Sequence, residues 1–265
     1  HVEQDGPDAK RDYLLEYAIY HEDMHTEAFT YTRQTLGYPT PAIGEVPDER
    51  MRGRLEGDAQ IPGRTFMLGA TEADGFVFDN EKWAHALEVQ PFAIARAAVS
   101  NAEFATFVDD GGYTKPEYWD AEGLAWLQAT GLECPRYWRR SADGWEMRRF
   151  DRWEPLPPDT AVIHVCWHEA RAWCRWAGRR LPSELEWEVA AAGQPDAHGG
   201  LSAYKRQYPW GRAEPAPHLA NLEGQALGAI AVGALPESDS AFGCRQMIGN
   251  VWEWTEDTFG PYPVF

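Results

Sequence analysis

From Asp8 to Leu36 the chain contains neither proline nor glycine. This unbroken segment constrains the fold more than any other feature. Elsewhere 24 glycines and 19 prolines punctuate the 265 residues. A stretch free of both, followed by Gly37 and then Pro39 and Pro41, predicts one helix that begins near Asp8 and is stopped by a glycine cap. Leu14, Ala18, His21, His25 and Ala28 recur at intervals of three and four. That spacing predicts a stripe facing a packed bundle interior.

His21 and His25 lie on this stripe, in Tyr20-His21-Glu22-Asp23-Met24-His25-Thr26-Glu27. Four residues apart, they project from one helix face about one turn from each other. Two neutral imidazoles so placed suit Fe(II), Zn or Cu, and the spacing alone does not name the metal. The bland alternative is a pair of core histidines satisfied by their neighbours. Glu27 is read as an acceptor that fixes a histidine tautomer, with a solvated helix carboxylate as its alternative. The run His21-Glu22-x-x-His25 also meets the zinc-hydrolase pattern, with Glu22 as general base. No third ligand of that class follows nearby.

The formal net charge is -18. Nucleic acid and anionic membrane surfaces both recruit basic footprints, so the acidity argues against either as a partner. No apolar run of about 18 residues suggests a membrane span, and no leader pattern is visible. Cys134, Cys166, Cys174 and Cys244 form no C-x-x-C pair, which predicts free thiols in a reducing, cytoplasmic setting, with one Cys166–Cys174 bridge left open. Thirteen tryptophans predict a loop-rich fold whose aromatics pin irregular backbone.

Residues 38 to 60 mix proline, glycine and charge without periodicity, which predicts a domain boundary between about 42 and 60. Beyond it, Thr65 to Leu68, Ala86 to Val89, Phe92 to Ile94 and Trp145 to Phe150 read as short strands. Residues 113 to 160 otherwise read as irregular. Ser100 with Glu103 and Ser183 with Glu186 form capping boxes that open helices reaching Val108 and Ala192. A further helix is expected from His168 to Ala177, stopped by Gly178. Trp252 and Trp254 are expected in the core. Asn250 and Glu253 are expected at a fold-defining turn.

Pro62-Gly63 with Phe66-Met67-Leu68-Gly69, Asp79-Asn80-Glu81 with His85, Val99-Ser100-Asn101, His164-Val165-Cys166-Trp167, Trp176 to Glu184, Tyr208-Pro209-Trp210-Gly211, Ala220-Asn221-Leu222 and Gly249-Asn250-Val251-Trp252-Glu253-Trp254 occur in that order. Over about residues 60 to 257 they resemble the formylglycine-generating-enzyme-like variant of the C-type lectin fold. A histidine-bearing helix before such a domain resembles the iron-dependent sulfoxide synthases of ergothioneine biosynthesis and the related selenoneine synthases. Asp109 to Tyr113, Tyr137 to Arg140 and Pro261-Tyr262-Pro263 resemble them too.

The resemblance implies an α+β chain: a partial DinB-like helical bundle over 1–45, then a lectin-like domain over 46–265 whose C-terminal part is missing. It implies Fe(II) on His21 and His25, with O2 as co-substrate. The reaction implied is C–S or C–Se bond formation on hercynine (trimethylhistidine), with a thiol or a selenosugar as donor. Tyr262 takes the place of an active-site tyrosine. Met24 stands where relatives carry a substrate-contacting glutamine. The family's third histidine ligand has no counterpart here, His1 being a poor substitute. Asn221 lies where related domains bind structural Ca²⁺. His164 matches a fold-wide strand position, which weakens a metal site built on His164, Cys166 and His168. Copper formylglycine chemistry needs a late cysteine pair, and Cys244 is alone. A non-catalytic lectin-like binding module is the remaining alternative. No motif speaks to oligomeric state.

Overall fold

A computed structural model describes residues 8–43, 53–224 and 226–263. The expectations for His1 and for the centre of the linker fall outside these residues. Helix α1 (Ala9–Leu36) has the predicted limits. Asp8 accepts hydrogen bonds from the backbone N–H groups of Lys10 and Arg11, which satisfies two donors the helix itself cannot pair. Gly37 closes it at φ 64°, a left-handed conformation that glycine enters without a Cβ penalty.

The rest of the chain builds three small antiparallel sheets with helices between them. Strand β1 (Asp58–Ile61) pairs with β4 (Phe92–Ala95), and β2 (Arg64–Leu68) with β3 (His85–Val89). Strands β5 (Trp138–Ser141), β6 (Gly144–Arg149) and β7 (Arg152–Pro155) form a meander. Alternation sends Ala59 and Ile61 of β1, and Phe66 and Leu68 of β2, into the interior. Ala59, Ile61 and Phe66 there share a core with Val189 to Ala191 of α5 (Glu184–Ala192). A second core joins Phe104 and Phe107 of α2 (Asn101–Asp109) to Trp138 and to Trp173 of α4 (Trp167–Trp176). Both predicted capping boxes are present.

Several expectations need correcting. Residues 113 to 160 are not irregular: they hold α3 (Ala121–Thr130), capped by Asp120 and by Gly131 at φ 62°, and the whole meander. Strand β1 begins inside the stretch read as linker and runs to Ile61 just beyond it, because pairing with β4 supplies an order that composition does not reveal. Trp252 is 87% exposed and Trp254 50%, so neither is core. They contribute N–H groups instead. Trp254 Nε1 donates to the Val165 carbonyl and Trp187 Nε1 to Glu253, while Trp167 Nε1 holds the Thr255 carbonyl. Tryptophans therefore do pin irregular backbone, by hydrogen bonding as much as by burial. His164 lies in a bend at φ 63° and not in a strand. Cys166 and Cys174 are free. They sit eight residues apart on α4, about 12 Å along its axis, beyond the reach of a disulfide.

Candidate functional site

The stripe from Leu14 to Ala28 does not face a packed interior. Leu14, Ala18, His21 and His25 are all exposed. Helix α1 docks mainly through a different set, Tyr13, Tyr20, Glu27 and Gln34, which recur every seven residues, with Tyr17 edge-on to Phe78 and Thr35 accepting from Tyr137 Oη beside them. A seven-residue step returns to nearly the same helix face, so these four form one seam. Tyr13 Oη donates to Asp79 at 3.2 Å and accepts from Lys82 Nζ at 2.9 Å, and its ring stacks on Phe76. Tyr20 meets Phe76 and Phe78. Glu27 Oε1 accepts from Trp252 Nε1 at 2.6 Å. Gln34 is buried; its Nε2 donates to the Arg148 carbonyl at 2.8 Å and its Oε1 accepts from Phe150 N–H at 2.5 Å. Hydrophobic periodicity misses this seam because three of its four members bond through polar atoms, and nothing in the local sequence marks it.

His21 lies about 100° round the helix from Tyr20, and His25 about 40° further. His21 therefore lies beside the contact between α1 and the domain, while His25 is turned toward the opposite, exposed side of the helix. The ring centroids are 4.6 Å apart, and Tyr17 stacks on His21 at 6.1 Å. Met24, also exposed, lies between the two histidines in sequence. Glu27 has the Trp252 indole as its hydrogen-bond partner and not a histidine ring. Glu22 is exposed. No group of three His, Cys, Asp or Glu side chains converges among the described residues.

Tyr262 is held elsewhere. Its phenol donates to Glu184 at 2.6 Å, and its ring meets His85 edge-on at 4.7 Å. It also covers Gly69, where φ is 94° and an added Cβ would come within 2.8 Å of the tyrosine ring. Lys205 Nζ donates to the Gly69 carbonyl and pairs with Glu188, which in turn accepts from Gly69 N–H. Burial, then the bond to Glu184, raises the Tyr262 pKa and keeps the phenol protonated. No contact among the described residues joins Tyr262 to either histidine. The segment from Phe76 to Lys82 connects their surroundings: its aromatics touch Tyr20, and its Glu81 carbonyl binds Ala70 N–H beside Gly69.

The His164, Cys166 and His168 run is dispersed. His164 meets Tyr137 edge-on, Cys166 caps α4, and His168 packs against Trp126 and Trp167. Asn221 is a brace: its Nδ2 donates to the Gly228 carbonyl and to Asn250 Oδ1. Asn250, at φ 65°, also receives Ile230 N–H, as expected of a turn residue.

Comparison with known proteins places these features. Residues 44–264 match the model of the sulfatase-modifying factor enzyme 1-like domain. Hercynine oxygenase of Mycolicibacterium smegmatis is 39% identical over 249 residues, which is 93% of this chain and 56% of that protein. Hercynine oxygenase of Mycobacterium tuberculosis is 39% identical over 98% of this chain and 60% of its own length. The chain thus spans little more than half of these relatives. Formylglycine-generating enzyme of Streptomyces coelicolor is 32% identical over 84% of this chain and 76% of its own. A family model covering nearly everything beyond α1, and a relative of that fold matched over most of its length, establish that the chain belongs to the sulfatase-modifying factor enzyme 1-like family.

Proposed function

We propose that the chain is the domain-bearing part of a non-haem Fe(II)- and O2-dependent enzyme that forms a C–S or C–Se bond at the imidazole of hercynine. The observation that carries the proposal is the His21–His25 pair, presented together on one exposed side of α1 in a chain 39% identical to proteins named hercynine oxygenase. The donor set fits: two neutral imidazoles, 4.6 Å apart on one helix face, suit a divalent transition metal and leave room for ligands from outside the pair. His21 and His25 would hold the iron, which when bound would supply the one-electron chemistry that dioxygen requires.

The chain's own groups would position the reactants. The seam of α1 sets the height of both histidines against the domain, and small misplacements of such groups cost large factors in rate. Met24, exposed between them in sequence, would contact the substrate ring through a thioether where an amide would offer hydrogen bonds. Tyr262 would hold a proton at its phenolic oxygen, stabilised there by Glu184. Sites at the contact between two elements are common places for small-molecule pockets. Four free thiols support a cytoplasmic setting.

The test uses the full-length enzyme. Anaerobic reconstitution with Fe(II), then oxygen uptake with hercynine plus cysteine, γ-glutamylcysteine or a selenosugar, should give hercynine-dependent turnover with one donor. His21→Ala and His25→Ala should abolish both iron binding and uptake. Failure to bind iron, or uptake indifferent to hercynine, would sink the proposal. Full activity in Tyr262→Phe would remove that phenol from the mechanism.

A further inference from the structure

The Glu27–Trp252 hydrogen bond joins two motifs that look unrelated in sequence, the His-x-x-x-His-x-Glu run of α1 and the Gly-Asn-Val-Trp-Glu-Trp run that begins at Gly249. Glu27 projects about 200° round the helix from His25, toward the domain. Its carboxylate accepts from Trp252 Nε1 at 2.6 Å, a charge-assisted bond of the stronger kind. Trp252 is 87% exposed, so its ring adds little burial. What it presents to α1 is the indole N–H, which can only donate.

The donor is presented from a fixed turn. Two residues earlier, Asn250 accepts from Ile230 N–H at 2.8 Å and donates to Gln246 Oε1 at 2.6 Å. Two residues later, Trp254 holds the Val165 carbonyl. On the helix, Glu27 lies midway between Tyr20 and Gln34. Between those two, among the described residues, no other α1 side chain reaches the domain by a hydrogen bond or a ring contact. The histidines occupy the same interval.

We propose that Glu27 and Trp252 are positioning residues: together they latch the histidine-bearing stretch of α1 to the domain. Glu27 acts through the placement of the helix and not through a histidine ring. The inference rests on the proposed metal-holding role of His21 and His25, and it replaces the tautomer-fixing role that the sequence suggests for Glu27.

Three variants of the full-length enzyme test it. Glu27→Met keeps the aliphatic stem and removes the acceptor, Glu27→Gln keeps a carbonyl acceptor, and Trp252→Phe keeps a ring and removes the donor. Amide exchange across residues 20–28 is read with and without Fe(II), alongside anaerobic Fe(II) affinity. Glu27→Met and Trp252→Phe should each speed exchange about five- to tenfold, the size expected of a charge-assisted bond near solvent. The double variant should go no further than the larger single, and Glu27→Gln should fall between. Fe(II) affinity should stay within about twofold, because both histidines share one helix; losing a group that orients a metal ligand costs about 10–100-fold. A loss of that size in Glu27→Met, with Trp252→Phe unaffected, would overturn the latch. So would unchanged exchange in both single variants, or a double effect equal to the product of the singles. An enzyme that binds no Fe(II) at all would refute the metal reading, while exchange would still decide the latch.

Discussion

Gln34→Leu removes the buried anchor of α1 while keeping the size of the side chain. In the native structure Gln34 is 6% exposed and its amide serves two backbone groups at once, the Arg148 carbonyl and the Phe150 N–H. Phe150 is itself buried and held at φ 54°, so its N–H has little freedom to turn toward water. Leucine offers neither bond, leaving the buried Phe150 N–H and the half-buried Arg148 carbonyl without them. The N–H costs about 1–3 kcal/mol and the carbonyl, nearer water, about 1 kcal/mol, and burying an extra methyl offsets about 1 kcal/mol at most. The expected loss is about 1–4 kcal/mol, concentrated on the docking of α1, because the two cores of the domain lie elsewhere. Local opening of α1 should therefore increase about 5- to 900-fold. Hydrogen exchange with peptide resolution measures this directly. Residues 9–36 should exchange faster, and residues 184–192 of α5 should keep their protection. Equal loss in both helices would show that α1 is not a separately docked unit. Protection of α1 within threefold of wild type would refute the claim that polar seam contacts hold it.

Three further outcomes follow from the same contacts. Gly112→Ala should cost about 1–3 kcal/mol in denaturant unfolding, since its Cβ would stand 2.3 Å from the Phe107 ring, a closely packed core aromatic; an unchanged midpoint would show that the ring moves freely. Tyr113→Phe removes the hydroxyl that donates to buried Glu169, whose pKa is raised above 4.5 chiefly by burial and lowered again by that bond. Such a carboxyl favours the folded state most when protonated, below about 4.5, and loses stability as pH rises through its folded value. The variant should be destabilised more at pH 7 than at pH 4, and a pH-independent penalty in paired unfolding curves would contradict the assignment. Burial pushes the thiols of Cys174 and Cys244 up to about 11, so at pH 8 only about one in a thousand is thiolate. Both should resist iodoacetamide until the protein is unfolded, and rapid native labelling of Cys244 would count against the packing around it.

Helix α1 was legible in sequence to its last residue, because the signals that bound it are local. The absence of proline and glycine, a carboxylate at Asp8 and a glycine at 37 act within one turn of chain. The two capping boxes and strands β2, β3 and β4 were legible for the same reason. Helix α3 was missed although Asp120 and Gly131 bracket it, because its aromatic surroundings resembled irregular chain. The one-turn spacing of His21 and His25 was also a local fact.

Which face of α1 meets the domain was not a local fact. Apolar periodicity pointed to Leu14, Ala18, His21 and His25, but the helix docks through a phenol at 13, an aromatic ring at 20, a carboxylate at 27 and an amide at 34. Their partners lie from 56 to 225 positions away in the chain. A hydrogen bond stabilises docking only when both ends are brought together, and nothing in the local sequence of Glu27 names Trp252 as its donor. The same holds for Trp252 and Trp254, whose size argued for burial and whose indole N–H groups decided otherwise. Sequence alone determined the helix and the histidine spacing, through short-range backbone and side-chain geometry. Tertiary structure alone decided that Tyr13, Tyr20, Glu27 and Gln34 face the domain and that the histidine pair is left exposed, because contacts between distant residues fix the rotation of the helix.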